Sequence, residues 1–147
     1  MWIRGGLFLA VAVLGAVTGC HRPTAGDRLN DEAALLPPSG EERIAAFQSS
    51  LLSDYDVELA VDIPKDSPPD LEAYAHRSMQ DKRIGVRTGA ARGVLLLIDV
   101  NREVVRLEVG SDLEHVLPDA FVSRIERNQM APFFREGRVG DGIEATV

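Results

Sequence analysis

The feature that most constrains the fold is an uninterrupted apolar run at residues 94–98, Val-Leu-Leu-Leu-Ile, directly after Gly93. A short apolar run bounded by turn signals is typical of a strand that is buried on both faces. After a turn over residues 99–102, Val105, Leu107 and Val109 alternate with more polar positions, as in a half-buried strand. The sequence therefore predicts a central buried strand that forms a hairpin with its successor.

Other segments supply the remaining elements of one domain. Residues 57–63 alternate as a strand, and helical periodicity covers residues 41–53, 71–84 and 118–129, with shorter helices near 132–136 and 141. Ser39 and Glu42 have the spacing of a capping box, and Ser67 is a candidate cap for the second helix. We expect an α/β fold, a single compact sandwich with a small mixed β-sheet flanked by helices on both sides.

The amino terminus has the order of an export signal. Arg4 precedes an apolar stretch over residues 5–16, which is too short to span about 30 Å of hydrocarbon. Residues 17–20, Val-Thr-Gly-Cys, resemble the bacterial lipobox, and Cys20 is the single cysteine of the chain. Acylation of Cys20, for example by palmitate, would account for this thiol; a cleaved signal with an incidental cysteine is the alternative.

These features predict three regions: a lipoprotein signal peptide at 1–19, a Pro-containing tether at 20–40 and one domain at 41–147. The last predicted helix reaches Val147 without a capping residue, so the domain could be truncated there. Loss of Arg4 with the signal lowers the formal net charge from -7 to -8. Such an acidic protein is a poor partner for nucleic acid. We expect a lipoprotein of the cell envelope, anchored on the extracytoplasmic side.

Five strings of residues, in order, resemble the TPM domain family. They are Asp-Leu-Glu-Ala-Tyr-Ala at 70–75, Ile-Gly at 84–85 with Gly-Val-Leu-Leu-Leu-Ile at 93–98, Val-Val-Arg-Leu-Glu-Val-Gly at 104–110, Leu-Glu-His-Val-Leu-Pro-Asp-Ala at 113–120, and Met-Ala-Pro-Phe-Phe at 130–134. The resemblance covers about residues 41–147. It implies a compact α/β sandwich, often exported and attached to a membrane.

Charged residues of several loops should meet at one edge of the sheet if the first two strands are parallel. This edge gathers Asp54, Asp56, Arg83, Arg87, Arg92, Asp112, Glu114, His115 and Asp119. Carboxylate oxygens are the ligands that Ca²⁺ and Mg²⁺ require, and the resemblance implies such an ion in some members. Asp112, Glu114 and Asp119 are the candidate ligands; an ordinary solvated acidic surface is the alternative.

One departure from the family pattern bears on that metal. TPM proteins usually have Asp-Asn before the Gly-Val-Leu-Leu run, whereas this chain has Ala91-Arg92. A guanidinium can neutralise carboxylates through bidentate hydrogen bonds. We therefore expect Arg92 to substitute for the ion, which would weaken or abolish metal binding.

Two function classes remain open. The first is a non-catalytic interaction or assembly module for a membrane complex, with a protein partner and a lipid anchor. The second, which the resemblance also implies, is a divalent-metal-dependent acid phosphatase of the cell envelope. Phosphoryl transfer needs a nucleophile and strong positive charge at the phosphate, and the sequence has neither a Gly-rich phosphate loop nor a His or Cys signature. The sequence favours the interaction module.

Overall fold

The computed structural model describes residues 28–125, 127–128 and 131–146. Cys20 and the expected signal peptide lie outside these residues. The elements in chain order are β1 (Leu29–Asp31), α1 (Pro38–Tyr55), β2 (Glu58–Ile63), α2 (Leu71–Asp81), β3 (Gly93–Asp99), β4 (Val104–Val109), a 3₁₀ turn (Ser111–Leu113), α3 (Asp119–Ile125), α4 (Ala131–Arg135) and α5 (Val139–Thr146). No helix among the described residues is long and apolar enough to cross a membrane.

The four strands form one mixed sheet in the order β1-β2-β3-β4. β1 and β2 are parallel, as are β2 and β3, and β3 pairs antiparallel with β4. The parallel first pair of predicted strands and the hairpin are both confirmed. Because β2 and β3 are joined through α2, a helical crossover links parallel neighbours, as sheet topology requires.

Every residue of β3 is buried, as the apolar run predicts. Its alternate side chains enter two separate cores. Val94, Leu96 and Ile98 join a core with Ile44 of α1 and Ile143 of α5, which packs on α1. Leu95 and Leu97 meet Ala75 of α2 on the opposite face. The sheet is therefore covered by helices on both sides, and the predicted fold class is confirmed.

The domain begins earlier than the sequence predicts. Residues expected to belong to the tether at 20–40 instead form β1 and the entry to α1. Leu29 is paired with Val61 of β2, and Leu36 is only 8% exposed within the core. The tether prediction is wrong from Leu29 onward, because a three-residue strand is too short to show a period of two.

The helix ends also differ from their predicted positions. Pro37 occupies the N-cap position of α1 without a side-chain hydrogen bond, so the capping box of Ser39 and Glu42 is not formed. Asp70, not Ser67, caps α2, since its carboxylate accepts a hydrogen bond from the Ala73 N–H at 2.9 Å. The ring of Pro37 has no hydrogen-bond acceptor, so the Gly40 N–H donates to the Pro37 carbonyl at 2.8 Å instead.

Candidate functional site

The predicted edge of the sheet carries an apolar groove of about 390 Å³. One wall comes from α1, where Phe47, Leu51 and Tyr55 recur every four residues and so share one helix face. The floor is the sheet, and the second wall follows β4. Together these supply Val57, Leu59, Val94, Leu96, Leu107, Leu113, Val116, Leu117 and Ile125. The groove thus lies on the α1 side of the sheet and is lined by apolar side chains from most of the domain's elements.

Four large apolar side chains around this groove are exposed, and we call them the apolar lip. Phe47, Tyr55 and Val116 line the groove and are 39%, 65% and 57% exposed. Phe121 is 47% exposed and shares a smaller depression with Ile125, itself a groove residue. The groove is therefore open along a surface that is itself apolar.

Arg92 is the one charged residue among the described residues that line the groove. Its backbone is fixed at the start of β3: its N–H donates to Thr88 Oγ1 at 2.8 Å, and its carbonyl accepts from the Glu58 N–H at 2.9 Å. Arg92 is half-buried and shares the strand face of Val94 and Leu96. Its guanidinium has no hydrogen bond or ion pair with any residue that the structure describes.

The backbone beneath the groove's edge is packed too closely for side chains. A Cβ at Gly110 would lie 2.6 Å from the Ala91 carbonyl oxygen, and one at Gly93 would lie 2.8 Å from Ile84. Ala91 itself adopts a left-handed conformation with φ of 50°, which disfavours a residue with a Cβ. This close packing fixes the loop that carries Arg92 against the end of β4.

The predicted acidic residues lie on several loops near this edge, and those that the structure describes are exposed or hydrogen-bonded within the domain. Asp112, Glu114 and His115 are exposed, and Asp54 accepts a hydrogen bond from Ser53. Both Asp56 oxygens accept from the Gly89 N–H, at 3.1 and 3.3 Å. Within the described residues there is no group of three or more His, Cys, Asp or Glu side chains that could hold a metal ion.

Arg92, the proposed ion substitute, contacts neither of the two expected partners whose side chains the structure describes. Among the described ion pairs, none joins Arg92 to Asp112 or Glu114 within 4.0 Å. The side chain of Asp119, the third candidate ligand, lies outside what the structure describes. A contact between Arg92 and Asp119 stays a prediction.

Three carboxylates that the sequence did not single out are buried in the sheet. Glu58 is 2% exposed, Asp62 is fully buried, and Asp99 is 1% exposed. Their strand positions place them on the sheet face that α2 covers. Glu58 and Asp62 alternate with apolar residues, a pattern typical of a solvent-facing side, but α2 covers this face of the sheet.

Each of these carboxylates is paired. Glu58 Oε1 lies 2.6 Å from Arg28 Nε and 3.5 Å from Arg87 Nη1, and its Oε2 accepts from the Gly85 N–H at 2.7 Å. This arrangement joins β1, β2 and the loop before β3. Such neutralised groups position backbone and are already occupied, so they are poor candidates for acid-base chemistry.

A second set surrounds Asp62. Its Oδ2 lies 2.6 Å from Lys82 Nζ, and its Oδ1 accepts from Asn30 Nδ2 at 2.7 Å. Tyr74 donates to Asp62 from 3.4 Å, and burial, together with this negative charge, raises the pKa of Tyr74 above its ordinary value of 10.0. Asp99 is held in a similar way by Ser67 and Arg102.

Comparisons with known proteins identify the relatives of this architecture. The family model of the TPM domain matches residues 29–147. The solution NMR structure of the N-terminal domain of a protein from P. gingivalis is similar, with 30% identity and a TM-score of 0.72, covering 84% of this chain and 82% of that one. BA42 protein from Bizionia argentinensis has 20% identity and a TM-score of 0.64, covering 76% of this chain and 75% of its own. No curated protein sequence matches the chain.

Proposed function

We propose, since this chain belongs to the TPM domain family, that it works as a non-catalytic interaction module for a membrane complex of the cell envelope. The observation that carries the proposal is the apolar lip around the groove. Single exposed apolar residues are common on protein surfaces, but contiguous ones beside a groove are typical of interaction sites. Three of the four lip residues line one groove, so a partner that covers them would bury a continuous surface.

The exposed aromatic residues favour a protein partner. Phe47 and Tyr55 lie one helical turn on either side of Leu51, and Tyr and Phe are enriched at protein interfaces. Both present large area and little side-chain flexibility. The half-buried Arg92 adds a charged group at the same place, which suits directional recognition of an anionic group.

The expected lipid anchor would place this site close to a membrane. Arg28 bonds to Glu58, the first residue of β2, and the preceding residue, Val57, lines the groove. Cys20 precedes Arg28 by eight positions, a span of at most about 29 Å in extended chain. Acylation of Cys20 would thus hold the groove within reach of proteins embedded in that membrane.

A matched pair of substitutions tests the interaction. Val116 belongs to the apolar lip, whereas Val104 is 42% exposed at the start of β4, at the opposite end of that strand from the groove's edge. Tagged full-length protein should recover the same protein from detergent-solubilised membranes with wild type and Val104→Gln, and lose it with Val116→Gln. Recovery that is equal for both variants would contradict the proposal.

Phosphatase activity is the outcome that would replace this proposal. The assay is hydrolysis of a generic phosphate monoester with and without Mg²⁺ or Ca²⁺. Metal-dependent hydrolysis whose rate decreases in the Asp119→Ala variant would indicate a phosphatase site at the acidic edge. Calorimetric titration with Ca²⁺ tests the metal separately: micromolar affinity would contradict the substitution of the ion by Arg92.

A further inference from the structure

The charge of Arg92 has no counterpart in the described part of the domain. Arg92 is half-buried, in a groove whose other described lining residues are apolar. None of its side-chain nitrogens is buried without a partner, so a molecule that covers the groove would have to replace their water with an opposite charge or hydrogen-bond acceptors. The oxygens of the nearby Asp56 accept from the backbone of Gly89 instead. An anion supplied from outside the domain would satisfy the guanidinium.

The position of Arg92 in the groove bears on what can bring that anion. The groove is small, about 390 Å³, and is open to solvent along the apolar lip. Arg92 lies directly before β3, and the floor residues Val94 and Leu96 follow it on the same strand. The end of a chain can place its terminal carboxylate at Arg92 with its last side chains over this apolar floor.

The apolar lip distinguishes a polypeptide from a lipid. A single acyl chain lying in the groove would leave the outward faces of Tyr55 and Val116, which are 65% and 57% exposed, in water. A polypeptide that ends in the groove would also cover the lip with its preceding residues. Exposed aromatic residues beside a partly buried arginine match the composition of protein interfaces.

We propose that the groove binds the C-terminal end of a partner polypeptide, with the terminal carboxylate on Arg92 and the last two or three apolar side chains inside. This inference rests on the proposed function and names the part of the partner that is bound. A carboxylate suits the guanidinium because two parallel N–H donors can meet its two oxygens. Arg92 and Leu96 are four strand positions apart, about 13 Å, so the floor beside Arg92 is long enough for such a segment.

The test compares two peptide pools with the full chain in detergent micelles. Both are fluorescein-labelled hexapeptides that end in two apolar residues; one pool has free C-terminal carboxylates and the other C-terminal amides. Fluorescence anisotropy should show binding of the acid pool, and binding of the amide pool that is weaker by about tenfold or more. Arg92→Gln should lower acid binding to the amide level, so that the difference between the pools disappears.

Two further variants separate charge from folding. Arg92→Lys should retain part of the preference for acids, because it keeps the charge but not the bidentate geometry. Arg77→Gln, an exposed position on α2, should leave both affinities unchanged. Thermal unfolding followed by circular dichroism checks that each variant is folded.

Several results would overturn the inference. Equal binding of acid and amide pools, acid binding that survives Arg92→Gln, or no peptide binding at all would each do so. Dodecanoic acid is tested in the same way as a lipid ligand. If it binds in an Arg92-dependent manner and the peptides do not bind, the groove is a lipid site instead. Capture of a membrane protein that depends on Val116 but not on Arg92 would refute this inference while leaving the interaction module standing.

Discussion

Arg28→Met removes one of the two guanidinium groups that neutralise the buried carboxylate of Glu58. The Glu58 side chain is 2% exposed, and the closest charged partner is Arg28 Nε at 2.6 Å, whereas Arg87 Nη1 is 3.5 Å away. Breaking a buried ion pair by removing one partner costs about 3–5 kcal/mol. Since Arg87 and the Gly85 N–H remain on Glu58, we expect the free energy of unfolding to fall by about 2–3 kcal/mol.

Urea unfolding of a soluble form that begins at His21 measures this change. With a slope of about 2 kcal/mol per molar urea, the midpoint should fall by roughly 1–1.5 M. Arg77→Met is the control, because an exposed substitution should stay within about 0.5 kcal/mol of wild type. Combining Arg28→Met with Glu58→Gln should cost less than the sum of the two single effects, since the pair is lost only once.

The result that would refute the reasoning is a midpoint for Arg28→Met within the range of its control. In that case β1 would not unfold together with the rest of the domain. The predicted tether up to residue 40 would then describe the chain in solution better than the strand that pairs with β2.

Three other substitutions have outcomes that follow from local geometry. Gly110→Ala places a Cβ 2.6 Å from the Ala91 carbonyl oxygen and should lower the unfolding free energy by about 2–3 kcal/mol, measured by urea unfolding. Asp56→Ala removes the carboxylate that accepts from the Gly89 N–H and keeps a Cβ at a residue whose φ is 54°, so the unfolding free energy should fall by about 1–2 kcal/mol. Asp56→Gly should lower it less, because glycine adopts this φ without strain, and thermal melts compare the two variants. The pKa of Tyr74 is raised by burial, so the unfolded chain loses its proton first and stability should fall as the pH rises above 10.0; Tyr74→Phe should reduce that fall in alkaline melts.

The strongest periodic signals in the sequence predicted the sheet. The run at 94–98 indicated a strand buried on both faces, and the alternation after it indicated the hairpin, and both are present. These predictions succeed because burial on one or two faces imposes a pattern on every residue of a strand that is long enough.

Features that depend on contacts between distant residues were not predictable in this way. β1 has three residues, and its place in the sheet depends on Arg28 and Asn30 reaching Glu58 and Asp62 across the fold. An isolated acid within an alternating strand reads as solvent-facing unless its partner is known. The capping box failed because α1 already begins at Pro38, which places Ser39 inside the first turn of the helix.

The sequence predicted where the candidate site lies in the fold, but not that the site is an apolar groove. Topology placed Arg92, Asp56 and Asp112 at one edge, where the structure also has them. The groove beside them depends on side chains of α1 and of the segment after β4 that are far apart in sequence, such as Leu51 and Leu117. No local pattern distinguishes a residue that lines such a groove from one that fills a core.

The most direct test of an interaction at the apolar lip is photo-crosslinking in living cells. A photoreactive phenylalanine analogue replaces Val116 in one strain and Val104 in another, both exposed valines at opposite ends of the sheet. We predict that position 116 crosslinks to one defined envelope protein and that position 104 does not. Crosslinking from neither position, or from both equally, would contradict the assignment of this groove as the contact with a partner.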